Sequence, residues 1–262
     1  MIYLNAIIVA VIEGITEFLP ISSTGHMILV ENHMTLGDES FARSFMILIQ
    51  LPAILAVVLF FLPMLWPFGK GKPIRDATIA LWIKVVIAFM PAAIIGLIAK
   101  DYVREKLFNP VTVALALIVG GIVLIILEWK KQAIRFDTTG RMSYAVALAI
   151  GCFQCLALCP GVSRSASTII GALLLGASRT AATEFSFFLA IPTMLGATTL
   201  ELLDSGASFT TNQCVLLALG SVVSFATAWA VVAFLMRFIR THDFKVFGYY
   251  RIILGVIVLL FS

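Results

Sequence analysis

The sequence predicts an all-α integral membrane protein made of two inverted-topology repeats, each a re-entrant broken helix hairpin followed by three transmembrane helices. Composition, long apolar runs and an internal repeat lead to this prediction. Of the 262 residues, 61% are hydrophobic and 12% are charged, whereas a soluble domain contains about 25% charged residues. The mean hydropathy of +1.07 also places the chain in the membrane class.

Five apolar runs are long enough to cross a bilayer as helices, since one crossing needs roughly 20 residues. They cover residues 45–66, 80–99, 110–128, 185–203 and 214–236. A sixth run, 249–262, is shorter and would need help from flanking residues to cross. We expect no cleavable signal peptide, because no basic region precedes the first apolar stretch and two glutamates interrupt it.

Sequence signals recur between the two halves of the chain at a constant spacing. Residues 14–23 align with 154–163, and residues 45–52 align with 185–192. Both alignments match prolines at one offset of 140 residues, Pro20 with Pro160 and Pro52 with Pro192. Two proline matches at one offset, each with phenylalanine upstream, favour an internal repeat over coincidence.

This repeat divides the chain into two domains and a linker. The first repeat is residues 1–128, with its hairpin at about 4–32, and the second is residues 143–262, with its hairpin at about 143–177. Residues 129–142 form a polar cytoplasmic linker. Three crossings in each half would invert the second half relative to the first, as in many transporters.

Lysine and arginine are distributed unevenly between the two faces of this topology. One face would hold Lys70, Lys72, Arg75, Lys130, Lys131, Arg135, Arg141, Arg179, Arg237, Arg240 and Lys245. The other would hold only Arg43, Lys100, Arg104 and Lys106. The positive-inside rule makes the first face cytoplasmic, so both termini and the first hairpin face outside. The net charge of +4 lies in short loops and indicates no nucleic-acid partner.

The first hairpin tip concentrates polar residues within an apolar stretch: Glu13, Glu17, Ser22, Ser23, Thr24 and His26. The two glutamates are spaced i, i+4 and share one helix face. Pro20 is expected to end that helix, because it lacks an N–H and disfavours a helical residue before it. The three hydroxyl residues then begin a new helix, whose free N–H groups can bind an anion.

The second tip repeats this pattern with Ser163 and Ser165 and adds Arg164. A charge at the bilayer centre costs roughly 2.5–3.5 kcal/mol on insertion scales, so Glu13, Glu17 and Arg164 would together cost on the order of 8–10 kcal/mol unpaired. A purely structural pair between Arg164 and a glutamate is the alternative, but it would not need the hydroxyls and the histidine. The tips should therefore meet near the middle of the membrane as a functional site.

The chemistry of this set suits a phosphate carried on a lipid. Helix N-termini and arginine favour negative charge, and the guanidinium fork fits phosphate oxygens. A serine can attack phosphorus while a carboxylate or histidine takes its proton or positions water. Paired glutamates can hold a divalent cation that neutralises a pyrophosphate. The alternative is a lipid-phosphate transporter or flippase, since inverted repeats with broken helices are typical of secondary transporters.

The runs EGITEFLPISSTGH (residues 13–26) and PGVSRS (160–165) resemble the two signature regions of the undecaprenyl-diphosphate phosphatases, also known as bacitracin-resistance proteins. The resemblance continues through residues 44–52 and 182–199 and spans essentially the whole chain. It implies hydrolysis of undecaprenyl pyrophosphate to undecaprenyl phosphate and inorganic phosphate. This reaction would recycle the lipid carrier for bacterial cell-wall synthesis and confer bacitracin resistance.

The resemblance also implies a location, a cofactor and partners. The location is the bacterial plasma (inner) membrane, with the active site open to the outer face. The cofactor is a divalent cation, Mg²⁺ or Ca²⁺. The protein would form a homodimer, and bacitracin would compete by sequestering the lipid substrate.

Site residues are carried over position by position. The catalytic residues would be Ser23, Glu17, His26, Glu13 and Arg164. The phosphate-binding residues would be Arg164, Ser22, Thr24, Ser163 and Ser165, and the metal ligands Glu13 and Glu17. Ser23 is the predicted nucleophile, with His26 as the alternative. Gln50 and Glu184 either line the cavity or bond between helices, and Pro52, Pro91 and Pro192 are expected to kink helices.

Overall fold

The structure, a computed structural model, describes residues 1–31, 34–68, 71–130, 132–204 and 209–261. Two of the predicted cytoplasmic lysines, Lys70 and Lys131, lie outside the described residues. The described ranges form α-helices joined by turns and short 3₁₀ or π segments, without a β-strand. The helices are α1 (Ile2–Thr16), α2 (Ser23–Glu31), α3 (Glu39–Leu48), α4 (Gln50–Phe60), α5 (Leu62–Leu65), α6 (Lys72–Tyr102), α7 (Pro110–Trp129), α8 (Tyr144–Gln154), α9 (Arg164–Leu174), α10 (Arg179–Asp204), α11 (Thr211–Phe238) and α12 (Lys245–Phe261).

Five helical segments of the described chain are long and apolar enough to cross a membrane. They are Glu39–Phe60, Lys72–Tyr102, Pro110–Trp129, Arg179–Leu203 and Thr211–Phe238, and each overlaps one predicted run. The shorter sixth run lies on α12, which has 17 residues. Large apolar side chains point away from the protein along these helices, such as Ile98, which is 81% exposed. The prediction of an all-α multi-pass membrane protein is confirmed.

Four shorter helices form two hairpins. Helix α1 packs against α2, and α8 packs against α9. With 15, 9, 11 and 11 residues, none of the four reaches the roughly 20 residues that one crossing needs. Helix α1 ends at Thr16, four residues before Pro20, while Glu17 keeps helical backbone angles and donates its N–H to the Glu13 carbonyl. The two glutamates therefore do share one helix face.

The contacts of the first half recur in the second with exchanged partners. Helix α1 packs against α11 as α8 packs against α6, and α2 packs against α12 as α9 packs against α7. Helix α4 contacts α11 as α10 contacts α6, while α7 packs directly on α12. Two halves related by a two-fold axis would produce this exchange. The inverted orientation of the halves in a membrane stays a prediction.

The ends of the helices gather at two opposite faces. At one face Arg179, which begins α10, bonds to Glu128 near the end of α7, and the same carboxylate accepts the N–H of Phe244 just before α12. At the other face the Asp38 carboxylate, just before α3, accepts a hydrogen bond from Gln213 near the start of α11. Successive long helices therefore run in alternating directions.

Two glycines let the hairpin helices approach the crossing helices closely. A Cβ on Gly151 of α8 would collide with the backbone carbonyl of Ala88 in α6. A Cβ on Gly14 of α1 would lie 2.9 Å from the Ser224 carbonyl oxygen of α11. Small residues at such contacts are what membrane helices use to pack tightly.

Candidate active site

The two hairpin tips share an unusual backbone conformation. Ser22 and Ser163 have φ angles of 72° and 74°, and each directly precedes a helix, α2 or α9. A positive φ is unfavourable for residues other than glycine and persists only where the surroundings impose it. Ser22 follows Pro20 by two residues, whereas Ser163 follows Pro160 by three. The structure therefore matches Ser22 with Ser163, one residue away from the proline-based alignment, which paired Ser163 with Ser23.

Glu17 joins the two tips. Its Oε2 accepts a hydrogen bond of 2.8 Å from the Ser23 hydroxyl, and its Oε1 lies 3.2 Å from Nη2 of Arg164. The side chains of Arg164 and Glu17 are only 10% and 12% exposed. A second bond of 3.0 Å runs from Arg164 Nη1 to the Ser186 carbonyl oxygen. The pair of Arg164 with a glutamate, which the sequence analysis gave as the structural alternative, is present, and the predicted nucleophile is part of the same cluster.

A small polar chamber of about 170 Å³ lies between the tips. Six of the predicted site residues line it: Glu17, Ser22, Ser23, Thr24, Ser163 and Arg164. Gln50, Ala157 and Gly161 complete the lining. The first residues of α2 and α9 both face this chamber, and helix N-termini are favourable places for an anion.

Ser165 is close to the chamber but does not line it. Its side chain is fully buried and donates a hydrogen bond of 2.9 Å to the Leu19 carbonyl oxygen of the first tip. Its hydroxyl also lies 3.0 Å from the hydroxyl of Ser163. In this structure Ser165 ties the second tip to the first.

Glu13 is buried one helical turn before Glu17. It is 1% exposed and lines neither cavity of the site. Its Oε1 accepts a bond of 3.0 Å from the Gln50 amide. Throughout the described ranges, no lysine or arginine forms an ion pair with it, in contrast to Glu17.

His26 does not line the chamber. Its Nδ1 is 2.8 Å from the Ser22 carbonyl oxygen, and its Nε2 is 2.7 Å from the hydroxyl of Tyr250 on α12. The two rings stack with their centroids 5.6 Å apart. Since a carbonyl oxygen only accepts, Nδ1 bears a hydrogen and donates to Ser22. Among the described residues, His26 therefore bonds to the backbone next to Ser23 but forms no hydrogen bond with Ser23 or Glu17 themselves.

A second, much larger cavity of about 1380 Å³ opens from the same cluster. Glu17, Gln50, Ala157 and Arg164 line both spaces, so the small chamber and the large cavity meet there. Most of the lining is apolar and comes from α6 and α10. Charged residues near the ends of α3, α6 and α10 border its far part: Glu39, Arg43, Lys100 and Glu201.

Known proteins match nearly the whole chain, including every residue of this site. A family model described as "Bacitracin resistance protein BacA" matches residues 6–257. The chain belongs to this family. It is 50% identical to "Undecaprenyl-diphosphatase 1" of Clostridioides difficile, across 97% of this chain and 94% of that protein. It is 49% identical to "Undecaprenyl-diphosphatase" of Enterococcus faecalis, across 99% and 96%, and 48% identical to that of Acetivibrio thermocellus, across 98% and 97%.

Arg251 is a residue of this BacA-family site that the sequence analysis missed. It lies on α12, is fully buried, and pairs with no carboxylate in the part of the chain that the structure describes. Its guanidinium instead donates to backbone carbonyl oxygens of both tips and of α7, namely those of Pro20, Gly161, Val162, Ala116 and Leu117. The available signal was the charge itself, since an arginine inside the last apolar run has the same insertion cost as Glu13.

Two other polar residues, Gln50 and Glu184, were expected either to line the cavity or to bond between helices, and Gln50 does both. Gln50 lines both cavities and bonds to Glu13, whereas Glu184 lines neither. Pro91 and Pro192 lie inside continuous helices, and Pro192 borders the large cavity. Pro52 follows a break at Ile49, where α3 gives way to α4.

Proposed function

We propose that this protein hydrolyses undecaprenyl diphosphate to undecaprenyl phosphate and inorganic phosphate, which recycles the lipid carrier for cell-wall synthesis. The observation that supports it most is the Ser23–Glu17–Arg164 cluster at the junction of a small polar chamber and a large apolar cavity. Relatives named undecaprenyl-diphosphatase are about 50% identical to this chain over nearly their full lengths. Membership of the bacitracin resistance family agrees with this activity.

The two spaces suit the two parts of such a substrate. The small chamber, about 170 Å³ and lined by hydroxyls and Arg164, has room for one phosphate group but not for a prenyl chain. The large cavity is mostly apolar and suits the prenyl chain. The diphosphate then lies across their junction, with its terminal phosphate in the chamber.

Ser23 and Glu17 supply the chemistry in this proposal. The Ser23 oxygen attacks the terminal phosphorus while its proton passes to Glu17, whose oxygen already accepts from that hydroxyl at 2.8 Å. The bond from phosphorus to the bridging oxygen breaks, and the lipid phosphate leaves with that oxygen and with the proton from Glu17, so Glu17 is a carboxylate again. Water then attacks the phosphoserine with Glu17 as general base, and the serine oxygen leaves and regains a proton. The activity releases one inorganic phosphate per turnover.

Arg164 and the helix N-termini hold the phosphate during this exchange. The Arg164 guanidinium lines the chamber and is preorganised by its bonds to Glu17 and to the Ser186 carbonyl. Charge builds up on the phosphoryl oxygens in the transition state, and fixed donors in a dry site stabilise it. Ser22, Thr24 and Ser163 supply further donors around the same space.

His26 acts through the backbone of the first tip in this proposal. Its Nδ1–H holds the Ser22 carbonyl, and Ser22 has the positive φ that begins α2 at Ser23. Both ring nitrogens are engaged, which favours Ser23 over His26 as the nucleophile. His26 is then a positioning residue for the nucleophile.

The donor set fits a divalent cation, Mg²⁺ or Ca²⁺. Glu13 is a buried carboxylate with no cationic partner in the described part of the chain, and the Gln50 amide contacts it. One or two carboxylates together with substrate phosphates are a usual ligand set for Mg²⁺. Glu13, with Glu17, would hold the ion. When bound, it supplies charge neutralisation for the diphosphate.

The site faces the outside of the cell in this proposal, and both termini lie there. The charged border of the large cavity lies near the ends of α3, α6 and α10, at the face with few lysines and arginines. Assembly as a homodimer and competition by bacitracin, which would sequester the lipid substrate, remain predictions from the family resemblance.

Phosphate release from undecaprenyl diphosphate by the purified protein in detergent tests the proposed function. The wild type should release phosphate, and EDTA should stop the release until a divalent cation is added back. Arg164→Ala should lower kcat/KM by at least about 100-fold, whereas Arg141→Ala, at an exposed arginine of the linker, should behave as wild type. If the folded wild type releases no phosphate with any divalent cation, the proposed hydrolytic function is wrong. The next measurement is then an assay of lipid translocation.

A further inference from the structure

Three buried polar side-chain atoms in the described chain have no hydrogen-bond partner: Ser22 Oγ, Arg164 Nε and Gln154 Nε2. All three residues line the joined cavities of the active site. Native proteins leave few buried polar groups unsatisfied, and each such group calls for an explanation. Their concentration around one space indicates that a ligand supplies the missing partner atoms.

Gln154 is the member of this set with no role so far. It is the last residue of α8, is 2% exposed, and borders the large cavity alongside Glu17 and Arg164. The hydroxyl of Thr193 on α10 lies 3.4 Å from its Oε1 and also donates to the Leu189 carbonyl at 2.8 Å. The NH₂ group of the amide, with two donor hydrogens, has no acceptor among the described residues.

The symmetry of the two tips gives Gln154 a counterpart in the known site. Matching Ser22 with Ser163 also matches Glu13 with Gln154, because each precedes its serine by nine residues. In the first half the Gln50 amide of α4 bonds to Glu13, and in the second half Thr193 of α10 contacts Gln154. The chain thus places a carboxylate on one side of the site and a neutral donor on the other.

We propose that Gln154 binds the phosphate that stays on the lipid, by donating its amide N–H to a non-bridging oxygen. This inference rests on the proposed function. Gln154 borders the large cavity but not the small chamber, and it lies three residues before Ala157, which lines both spaces. The terminal phosphate occupies the small chamber, and the lipid-borne phosphate lies next to it at the junction, within reach of α8.

Such a contact has a distinct kinetic signature. The lipid-borne phosphate is bound in the substrate, in the transition state and in the lipid product. Losing an interaction made equally in the ground state and the transition state raises KM and leaves kcat nearly unchanged. The same loss weakens binding of undecaprenyl phosphate and leaves binding of undecaprenol unchanged.

The first variant is Gln154→Met, which removes the donor and keeps the length of the side chain. We expect KM for undecaprenyl diphosphate and Kd for undecaprenyl phosphate each to rise roughly tenfold, with kcat within about threefold of wild type. Gln132→Met, the same change at an exposed linker position, is the matched control and should leave all three values unchanged. Unchanged KM and Kd in Gln154→Met, or a fall in kcat alone, would overturn the proposal.

A second variant keeps the proposal testable if Gln154→Met does not fold. Gln154→Glu preserves the shape of the side chain but places negative charge beside the phosphate, so it should weaken binding of undecaprenyl phosphate more than Gln154→Met. Wild-type binding by Gln154→Glu would overturn the proposal. The binding measurements need no turnover: if the wild type released no phosphate but Gln154→Glu still lost affinity for undecaprenyl phosphate, the proposed function would fail and the role of Gln154 would stand.

Discussion

At the scale of single residues, the sequence predicts contacts between residues close together in the chain better than contacts between residues far apart in it. Glu17 and Ser23 belong to one tip, and their contact follows from a helix that ends before Pro20 and a new helix that begins at Ser23. His26 is different, since three residues at 100° each place it about 60° around the helix from Ser23. Which way the His26 ring faces depends on the neighbouring helix α12, where the hydroxyl of Tyr250 bonds to the ring. No local pattern predicts that contact.

The hydroxyl of Tyr250 is predicted to support activity through His26. In Tyr250→Phe the Nε2 of His26 loses its partner, and one lost hydrogen bond is worth roughly 0.5–1.5 kcal/mol, or about 2- to 10-fold. We expect kcat to fall within that range while KM stays near wild type, because the tip positions the nucleophile and not the lipid. Tyr249→Phe, at the exposed neighbour, is the control. Equal kcat for the two variants would show that Tyr250 does not position His26.

At the scale of elements, the hairpins were predictable and their exact junction was not. Proline and hydroxyl positions located both breaks, but the additional residue between Pro160 and Ser163 shifts the register by one. The proline alignment cannot reveal such an insertion, since only the matched φ angles of Ser22 and Ser163 show it. The Arg251 clamp was also beyond local reasoning, because its acceptors are backbone carbonyls far away in the sequence.

Replacing Arg251 is predicted to loosen both tips at once. Arg251→Met leaves buried carbonyls of Pro20, Gly161 and Val162 without their donor, and we expect a loss of at least about 3 kcal/mol in the free energy of unfolding. Thermal unfolding in detergent measures it as a lower Tm. Arg237→Met, at an exposed arginine near the end of α11, should change Tm little. A Tm for Arg251→Met equal to that of Arg237→Met would contradict the clamp.

At the scale of the whole molecule, the fold class follows from composition, and the repeat predicts how the two halves are arranged. The helix contacts exchange between the halves, as two-fold symmetry would require. Sequence alone could not show that the tips enclose a chamber joined to a large cavity, because that space depends on how α6 and α10 pack. It did assign Arg43 and Lys100, which border that cavity, to the face with few basic residues.

The orientation of the molecule is predicted to expose the start of α11 to the outside. Cys214 is exposed at that end, so a membrane-impermeant thiol reagent should label it in intact cells when it is the sole cysteine. A matched variant has no native cysteine and carries Thr138→Cys in the linker, which should be labelled only after permeabilisation. The reverse pattern would mean that the site opens to the cytoplasm.

The most direct test of the central claim is to measure turnover and substrate affinity of Ser23→Ala together. We expect kcat for phosphate release to fall by at least about 1000-fold, because the attacking oxygen is gone. Kd for undecaprenyl diphosphate should stay within about threefold of wild type, since Arg164, the helix N-termini and the apolar cavity still bind the substrate. Phosphate release near the wild-type rate from Ser23→Ala would contradict the serine mechanism at the junction of the two hairpins.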